Sequence, residues 1–184
     1  MVKDMETKTF GDKKIIIRKP IKSDAKNLKK FQVFINSLVE EEAMILMNEK
    51  TTLKQEKEYV DSMLKSARNK SKIYLVAEHD NKIVGNASVE LEKWRTSHVG
   101  EFAIAIADGY RGVGLGNHLM SEVIELAKKE LKPKPKIIRL RVYSDNIPAI
   151  GLYKKMGFKI VARIPKQIQY EGRLFDEFIM LKFL

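Results

Sequence analysis

A glycine-rich segment between an apolar strand and an amphipathic helix is the feature that most constrains the fold. The segment reads Arg111-Gly112-Val113-Gly114-Leu115-Gly116; an apolar run over 99–106 precedes it, and apolar residues at helical spacing follow over 119–127. Such a loop directs several backbone N–H groups, and the positive end of the helix dipole, at one point in front of the helix. Glycine leaves room for an anion there and permits positive φ angles. The segment therefore predicts an anion site, to which Arg111 adds a charge.

Two common phosphate-binding motifs do not fit this segment. A P-loop requires Lys and then Ser or Thr after its last glycine, but Asn117-His118 occupies those positions. The dinucleotide pattern G-x-G-x-x-G fails as well, because counting from Gly112 ends on Asn117 and counting from Gly114 ends on Leu119. For the glycines alone, a tight strand-to-helix turn without a ligand remains the alternative.

The rest of the chain predicts an α/β (α+β) fold with the order β-α-α-β-β-β-α-β-α-β-β. Helices are expected from Ser23 or Asp24, after Thr51-Thr52, after the glycine loop, and from Asp145 or Asn146. Apolar runs and turn residues predict seven strands over 15–18, 73–77, 83–89, 99–106, 137–143, 158–163 and 176–182. Because no repeat, linker or low-complexity tract interrupts the pattern, we expect a single domain over residues 1–184.

A second motif follows the glycine loop by about thirty residues and runs Asn146-Ile147-Pro148-Ala149-Ile150-Gly151-Leu152-Tyr153-Lys154-Lys155-Met156-Gly157-Phe158. Together with Arg111-x-x-Gly114-x-Gly116, it resembles the two hallmarks of the GNAT N-acetyltransferase superfamily, in the same order. The resemblance covers the chain from about Ile15 to Leu181. It implies a mixed, mostly antiparallel seven-stranded sheet splayed between its fourth and fifth strands, flanked by about four helices. It also implies acetyl-CoA as cosubstrate and direct transfer of the acetyl group to a primary amine.

The resemblance assigns cofactor contacts to particular residues. Backbone groups of Ile104 and Ile106 would pair with the pantetheine arm, which behaves as an added strand. Asn146 would hydrogen-bond the cofactor near its thiol end, although a helix cap explains an Asn at this position equally well. The amides expected to hold the pyrophosphate are those of Arg111, Gly112, Val113, Gly114, Leu115, Gly116 and Asn117.

Attack of an amine on a thioester requires a base, an oxyanion donor and a proton for the departing thiolate. The resemblance places Tyr153 as general acid near the sulfur, with an aromatic core residue as the alternative. The oxyanion donor would be a backbone N–H near Ile104 or Ala105, which places Ala105 beside the cofactor as well. Glu101 and Glu90, on neighbouring strands, are the candidate bases; solvent-exposed strand carboxylates are the alternative for both.

Composition narrows the remaining function classes. The chain has no cysteine, which excludes disulfides, thiolate metal sites and a cysteine nucleophile. His79, His98 and His118 are too dispersed for a metal site, so no metal is expected. With no apolar run long enough to span a membrane and no signal-peptide pattern, we expect a cytoplasmic protein without a membrane partner.

The net charge of +11 leaves a basic nucleic-acid-binding module as an alternative, which the scattered distribution of the lysines disfavours. A GNAT-shaped CoA sensor that does not turn over is another alternative.

The acceptor amine is the part of the function that the sequence determines least. Residues 36–52, including Glu40-Glu41-Glu42, form the acceptor wall implied by the resemblance. The ending Tyr170-x-Gly172-x-x-x-Asp176-Glu177-x-x-Met180 is similar to family members that act on amino-acid-like amines or protein N-termini. The expected partner is thus a small-molecule amine or a peptide N-terminus, with lysine and polyamines also open and a homodimer left open. The basic surface argues mildly against polyamines.

Overall fold

The computed structural model describes residues 5–184, which form one eight-stranded sheet and four α-helices. The strands are β1 (Met5–Phe10), β2 (Lys13–Arg18), β3 (Lys72–His79), β4 (Lys82–Leu91), β5 (Val99–Ile106), β6 (Ile137–Tyr143), β7 (Lys159–Tyr170) and β8 (Arg173–Phe183). The helices are α1 (Leu28–Glu40), α2 (Leu53–Arg68), α3 (Leu115–Glu130) and α4 (Ile147–Lys155). No described helix is long and apolar enough to cross a membrane.

The sheet order is β1-β2-β3-β4-β5-β6-β8-β7, and every neighbouring pair is antiparallel except β5 and β6. The predicted mixed, mostly antiparallel sheet with four helices is confirmed, but the strand count of seven is too low by one. The missed strand is β1, whose side chains are exposed or partly exposed except at Phe10. An edge strand held mainly by backbone pairing with β2 carries no hydrophobic alternation to reveal it.

The sheet parts between its two central parallel strands. β5 and β6 pair only through Val99↔Ile137, Gly100↔Ile138 and Glu101↔Arg139. Beyond those pairs, residues 102–106 of β5 and 140–143 of β6 diverge, although each strand stays paired to its outer neighbour. We call this opening the sheet gap. It is the predicted splay, because the fourth and fifth predicted strands are β5 and β6 here.

Two apolar cores occupy opposite faces of the sheet. The α3 face packs Leu119 and Val123 of α3 and Ile150 of α4 against the strands. The α1–α2 face packs Phe31 of α1 and Met63 of α2 against them. Along β5 the side chains alternate between these faces: Phe102, Ile104 and Ile106 join the first core, and Ala105 joins the second.

The starts of α1 and α2 differ in how well the sequence locates them. The prediction after Thr51-Thr52 is confirmed, since Thr52 caps α2 and exchanges hydrogen bonds with Gln55 in a capping box. The first helix begins four residues later than Asp24. Asp24 instead accepts two 2.8 Å hydrogen bonds from the buried Arg18 and one from the N–H of Ile21, which holds a short 3-10 turn before α1.

Candidate active site

The glycine loop ends directly in front of α3, as the sequence predicts. Gly112 and Gly114 have φ angles of +75° and +91°, and a Cβ on either would meet nothing within 4 Å. Backbone conformation therefore requires glycine at both positions. The first intrahelical bond joins His118 N–H to the carbonyl of Gly114, which leaves the N–H groups of the helix's first turn free to bind an anion.

Gly116 serves a different purpose from the one its position suggests. A Cβ there would lie 3.1 Å from Cδ1 of Ile106 and 3.4 Å from Cδ2 of Leu152. The residue therefore lets the first turn of α3 pack closely between β5 and α4. Its N–H stays available for a phosphate, but the reason for glycine is packing, not clearance around the ligand.

Arg111 already has two partners in the loop. Its Nε donates to the carbonyl of Ile106 at 2.8 Å, and its guanidinium also contacts the carboxylate of Glu41, in the segment after α1. The same carboxylate accepts the N–H of Asp108 at 3.1 Å. Because Arg111 is half-exposed, an incoming pyrophosphate can compete with Glu41 for its charge.

The strand register decides which β5 backbone groups face the sheet gap. Ala107 N–H bonds to Val84 and Glu92 N–H to Val99 at the two ends of the β4–β5 ladder. In an antiparallel pair these bonds involve alternate residues, so Ala105 turns its backbone toward β4 and Ile104 and Ile106 turn theirs toward the gap. The register thus supports Ile104 as the oxyanion donor and corrects Ala105, whose N–H is used within the sheet.

Tyr153 lies beside the gap and is almost wholly buried. Its ring packs on Phe102 and Phe158 with centroids 6.2 Å away in both cases. Burial raises the pKa of this phenol to about 12. None of the described residues makes a hydrogen bond to its hydroxyl. Every fully buried polar side-chain atom among the described residues has a hydrogen-bond partner, so this hydroxyl is not fully buried. The hydroxyl therefore reaches solvent, while the ring belongs to the core.

Asn146 caps α4, as its alternative interpretation expects. Its Oδ1 accepts the N–H of Ala149 at 3.2 Å. That bond leaves the amide Nδ2 free to donate, so the cap does not compete with the predicted contact to the cofactor. The contact itself stays a prediction.

The two candidate bases lie side by side in a row of charges across the sheet. The register aligns Lys72, Glu90, Glu101 and Arg139 on adjacent strands. Glu90 pairs with Lys72 at 3.0 Å and is half-exposed, whereas Glu101 accepts from Arg139 Nε at 2.7 Å and is less exposed. Both carboxylates thus have cationic partners. Glu101 is the better placed of the two, because it lies where the sheet gap begins.

A pocket of about 760 Å³ lies on the α1–α2 face, between the segment after α1 and the β7–β8 hairpin. Two tyrosines hold that segment in place: Tyr143 donates to the carbonyl of Ile45 at 3.0 Å, and Tyr170 donates to the carbonyl of Glu42 at 2.9 Å. Burial is the main cause that raises the pKa of both phenols, with nearby acidic groups adding to it. We call this cavity the acceptor pocket, because its lining includes part of the acceptor wall that the resemblance implies for residues 36–52.

Glu177 lies in the acceptor pocket and was not among the predicted site residues. It is 2% exposed, and its nearest cation is Arg141, with 3.8 Å between Nε and Oε1. Arg141 also lies 3.8 Å from Glu101, so it connects the pocket with the candidate base. Alternation along the predicted last strand places Glu177 on the same face as Ile179 and Leu181. A carboxylate in such an apolar row was the signal that could have revealed it.

Comparisons with known proteins agree with this geometry. Residues 39–158 match the family model described as acetyltransferase (GNAT) family. An L-amino acid N-acetyltransferase of Escherichia coli is 34% identical over 109 residues, which cover 59% of this chain and 66% of that protein. An N-alpha-acetyltransferase of Sulfurisphaera tokodaii is 32% identical over 98 residues, covering 48% and 57%. The chain thus spans less than two thirds of the length of these relatives.

Solved structures match over nearly the whole chain. A GNAT-family acetyltransferase from Streptococcus pneumoniae has a TM-score of 0.80 at 24% identity and covers 92% of this chain and 99% of its own. A phosphinothricin acetyltransferase from Sinorhizobium meliloti, in complex with AcCoA, has a TM-score of 0.73 at 17% identity and covers 91% and 87%. A mixed sheet that parts beside a glycine loop and the free N–H groups of a helix start defines the class of fold. Within that class, the chain belongs to the acetyltransferase (GNAT) family.

Proposed function

We propose that this protein is an N-acetyltransferase that moves an acetyl group directly from acetyl-CoA to a primary amine. The observation that carries the proposal is the sheet gap, where Ile104 and Ile106 pair with β4 but have no partner on β6. Their backbone groups face the gap, and of these the carbonyl of Ile106 accepts a hydrogen bond from Nε of Arg111. Pantetheine presents amide groups that can complete such an edge. Its pyrophosphate would then lie at the free N–H groups of the first turn of α3.

In the proposed reaction the amine nitrogen bonds to the carbonyl carbon of the thioester, and the C–S bond then breaks. The N–H of Ile104 stabilises the negative charge that develops on the carbonyl oxygen. Glu101, directly or through water, takes the proton that the amine loses. No acyl-enzyme forms.

The role of Tyr153 follows from its environment. A phenol whose pKa is about 12 is protonated at neutral pH, as a hydrogen-bond donor to the sulfur must be. Because the ordinary pKa of a thiol is about 8.5, complete transfer of the phenol proton to a thiolate is uphill. Tyr153 therefore acts mainly by donating a hydrogen bond as charge develops on the sulfur, and CoA leaves as the thiolate, which takes its proton from solvent.

Two measurements test the proposal separately for binding and for turnover. Acetyl-CoA should raise the melting temperature with the logarithm of its concentration above Kd. Release of free thiol should then depend on both acetyl-CoA and an added amine. Stabilisation by acetyl-CoA without thiol release from any amine would reject catalysis and leave a CoA-binding protein. Binding of nucleic acid that falls steeply with salt and is indifferent to CoA would reject both.

A further inference from the structure

The acceptor pocket is acidic although the protein as a whole is basic. Among the described residues, its lining includes the carboxylates of Glu42, Glu171 and Glu177 and one guanidinium, that of Arg141. The whole chain carries a formal charge of +11. Charges farther away than about 10 Å are largely screened at ordinary ionic strength, so the charged groups of the lining contribute most to the potential that a ligand meets in the pocket.

Glu177 is the one buried carboxylate among the three described in this lining. It is 2% exposed, and no hydrogen bond reaches its carboxylate from the described residues. No described side chain has a fully buried polar atom without a partner, so the small exposed area of Glu177 includes its oxygens. A carboxylate removed from bulk water is costly unless a cation or donors satisfy it.

Arg141 compensates the buried charge of Glu177 only in part. Its Nε is 3.8 Å from Glu177 and also 3.8 Å from Glu101, which is beyond hydrogen-bonding distance in both cases. Its side chain is 46% exposed, so water screens its attraction for either carboxylate. Glu177 therefore keeps its capacity to accept hydrogen bonds from a ligand that enters the pocket.

Aromatic rings add a second feature that suits a cation. Tyr143 and Tyr170 line the pocket, with ring centroids 6.3 Å apart, and Phe175 lies beside both. Their hydroxyls already donate to the carbonyls of residues 45 and 42, so the aromatic rings are what these two side chains have left to offer a ligand. Ring faces attract ammonium groups.

We infer that the acceptor pocket holds the non-reacting end of the acceptor, and that Glu177 selects a small amine carrying a second ammonium group there. The inference rests on the proposed N-acetyltransferase function and names the acceptor class for it. The volume of about 760 Å³ suits a small molecule. Three carboxylates against one guanidinium disfavour an acceptor whose other end is a carboxylate, such as a free amino acid. The pocket thus reverses the mild argument against polyamines that the charge of the whole chain gives.

Three acceptors of one chain length test this inference. Butylamine has an uncharged end, putrescine has a second ammonium group, and γ-aminobutyrate has a carboxylate. We expect kcat/KM for thiol release to be at least about tenfold higher for putrescine than for butylamine, and lowest for γ-aminobutyrate, because a hydrogen bond to a charged group is worth about ten- to a hundredfold. Equal use of butylamine and putrescine, a preference for γ-aminobutyrate, or turnover confined to peptide N-termini would overturn the inference while leaving the N-acetyltransferase function intact.

Glu177→Gln tests the residue itself. We expect it to lower kcat/KM for putrescine by at least about tenfold more than kcat/KM for butylamine, since only putrescine has a second ammonium group that loses its partner. Glu125→Gln is the matched control, because it removes the same charge from an exposed position on α3. A rise in melting temperature with acetyl-CoA equal to that of the wild type shows that the variant folds. Equal losses for all three acceptors would assign Glu177 a structural role and reject the inference.

If no amine is turned over, the proposed function fails. A binding measurement then still tests the inference. In the presence of CoA, putrescine should raise the melting temperature of the wild type more than butylamine does, and Glu177→Gln should abolish the difference. No difference in the wild type would reject the ammonium site independently of catalysis.

Discussion

Replacement of Tyr153 by Phe separates the catalytic and structural roles of this residue. The residue is 8% exposed, and its ring packs on Phe102 and Phe158, contacts that Phe retains. Because the hydroxyl has no hydrogen bond to the described residues, its removal leaves no partner unsatisfied, and stability at neutral pH should change by less than about 0.5 kcal/mol. If the hydroxyl stabilises the departing sulfur, kcat should fall by about one to three orders of magnitude with the Kd of acetyl-CoA unchanged.

The raised pKa gives the same variant a second signature at alkaline pH. Burial raises the pKa of Tyr153 from 10.0 to about 12, so folding disfavours the phenolate. Its contribution to stability is fully present below pH 10 and is lost as the pH rises toward 12. At pH 11 the loss is about 1.4 kcal/mol, which is one pKa unit of linkage. Tyr153→Phe lacks this titration and should be more stable than the wild type by about that amount.

Two assays decide between the possible roles of Tyr153. Urea unfolding of both proteins at pH 7 and pH 11 measures the stability difference, and thiol release at saturating amine measures kcat. Full turnover in Tyr153→Phe across the pH range would refute the assignment of the hydroxyl to the leaving group. An equal stability difference at both pH values would refute the buried environment from which the pKa follows.

Three further changes test other parts of the structure. Gly114→Ala should lower the free energy of unfolding by about 1–2 kcal/mol, measured in urea, because φ is +91° and the added Cβ itself meets nothing. Glu41→Gln frees Arg111 for the pyrophosphate and should tighten acetyl-CoA binding by about two- to fivefold in a titration; weaker binding would contradict the competition. Asp24→Asn removes one of the two carboxylates, Asp24 and Glu78, that pair with the buried Arg18 and should cost about 2 kcal/mol by thermal unfolding, a loss that an exposed pair would not show.

The sequence predicted the parts of the fold that depend on local signals. The glycine loop requires positive φ angles, and the side chains of Thr52 and Asn146 cap the helices that follow them. These features could therefore be located from the residues alone. The resemblance placed the sheet gap between β5 and β6. The edge strand β1 was missed because backbone pairing, which leaves no pattern in the sequence, is most of what holds it.

The parts of the site that escaped prediction depend on contacts between distant segments. Glu41 reaches Arg111 across 70 positions of sequence, and the pocket around Glu177 forms only when residues after α1 meet the β7–β8 hairpin. The helix expected at Asp24 begins later because that carboxylate binds Arg18 on β2. Such pairings are set by tertiary packing, which local propensity does not encode.

The short segment after α1 touches both halves of the proposed reaction. Glu41 contacts the loop that would hold the pyrophosphate, and four residues later the carbonyl of Ile45 accepts the hydrogen bond from Tyr143 at the acceptor pocket. If a cofactor displaces Glu41 from Arg111, the side chain that moves is four residues from Ile45, which borders the pocket where the amine would bind. The affinities for the two substrates are then thermodynamically linked, and by reciprocity each would change the other by the same factor. In steady-state kinetics, such linkage makes the KM for one substrate depend on the concentration of the other.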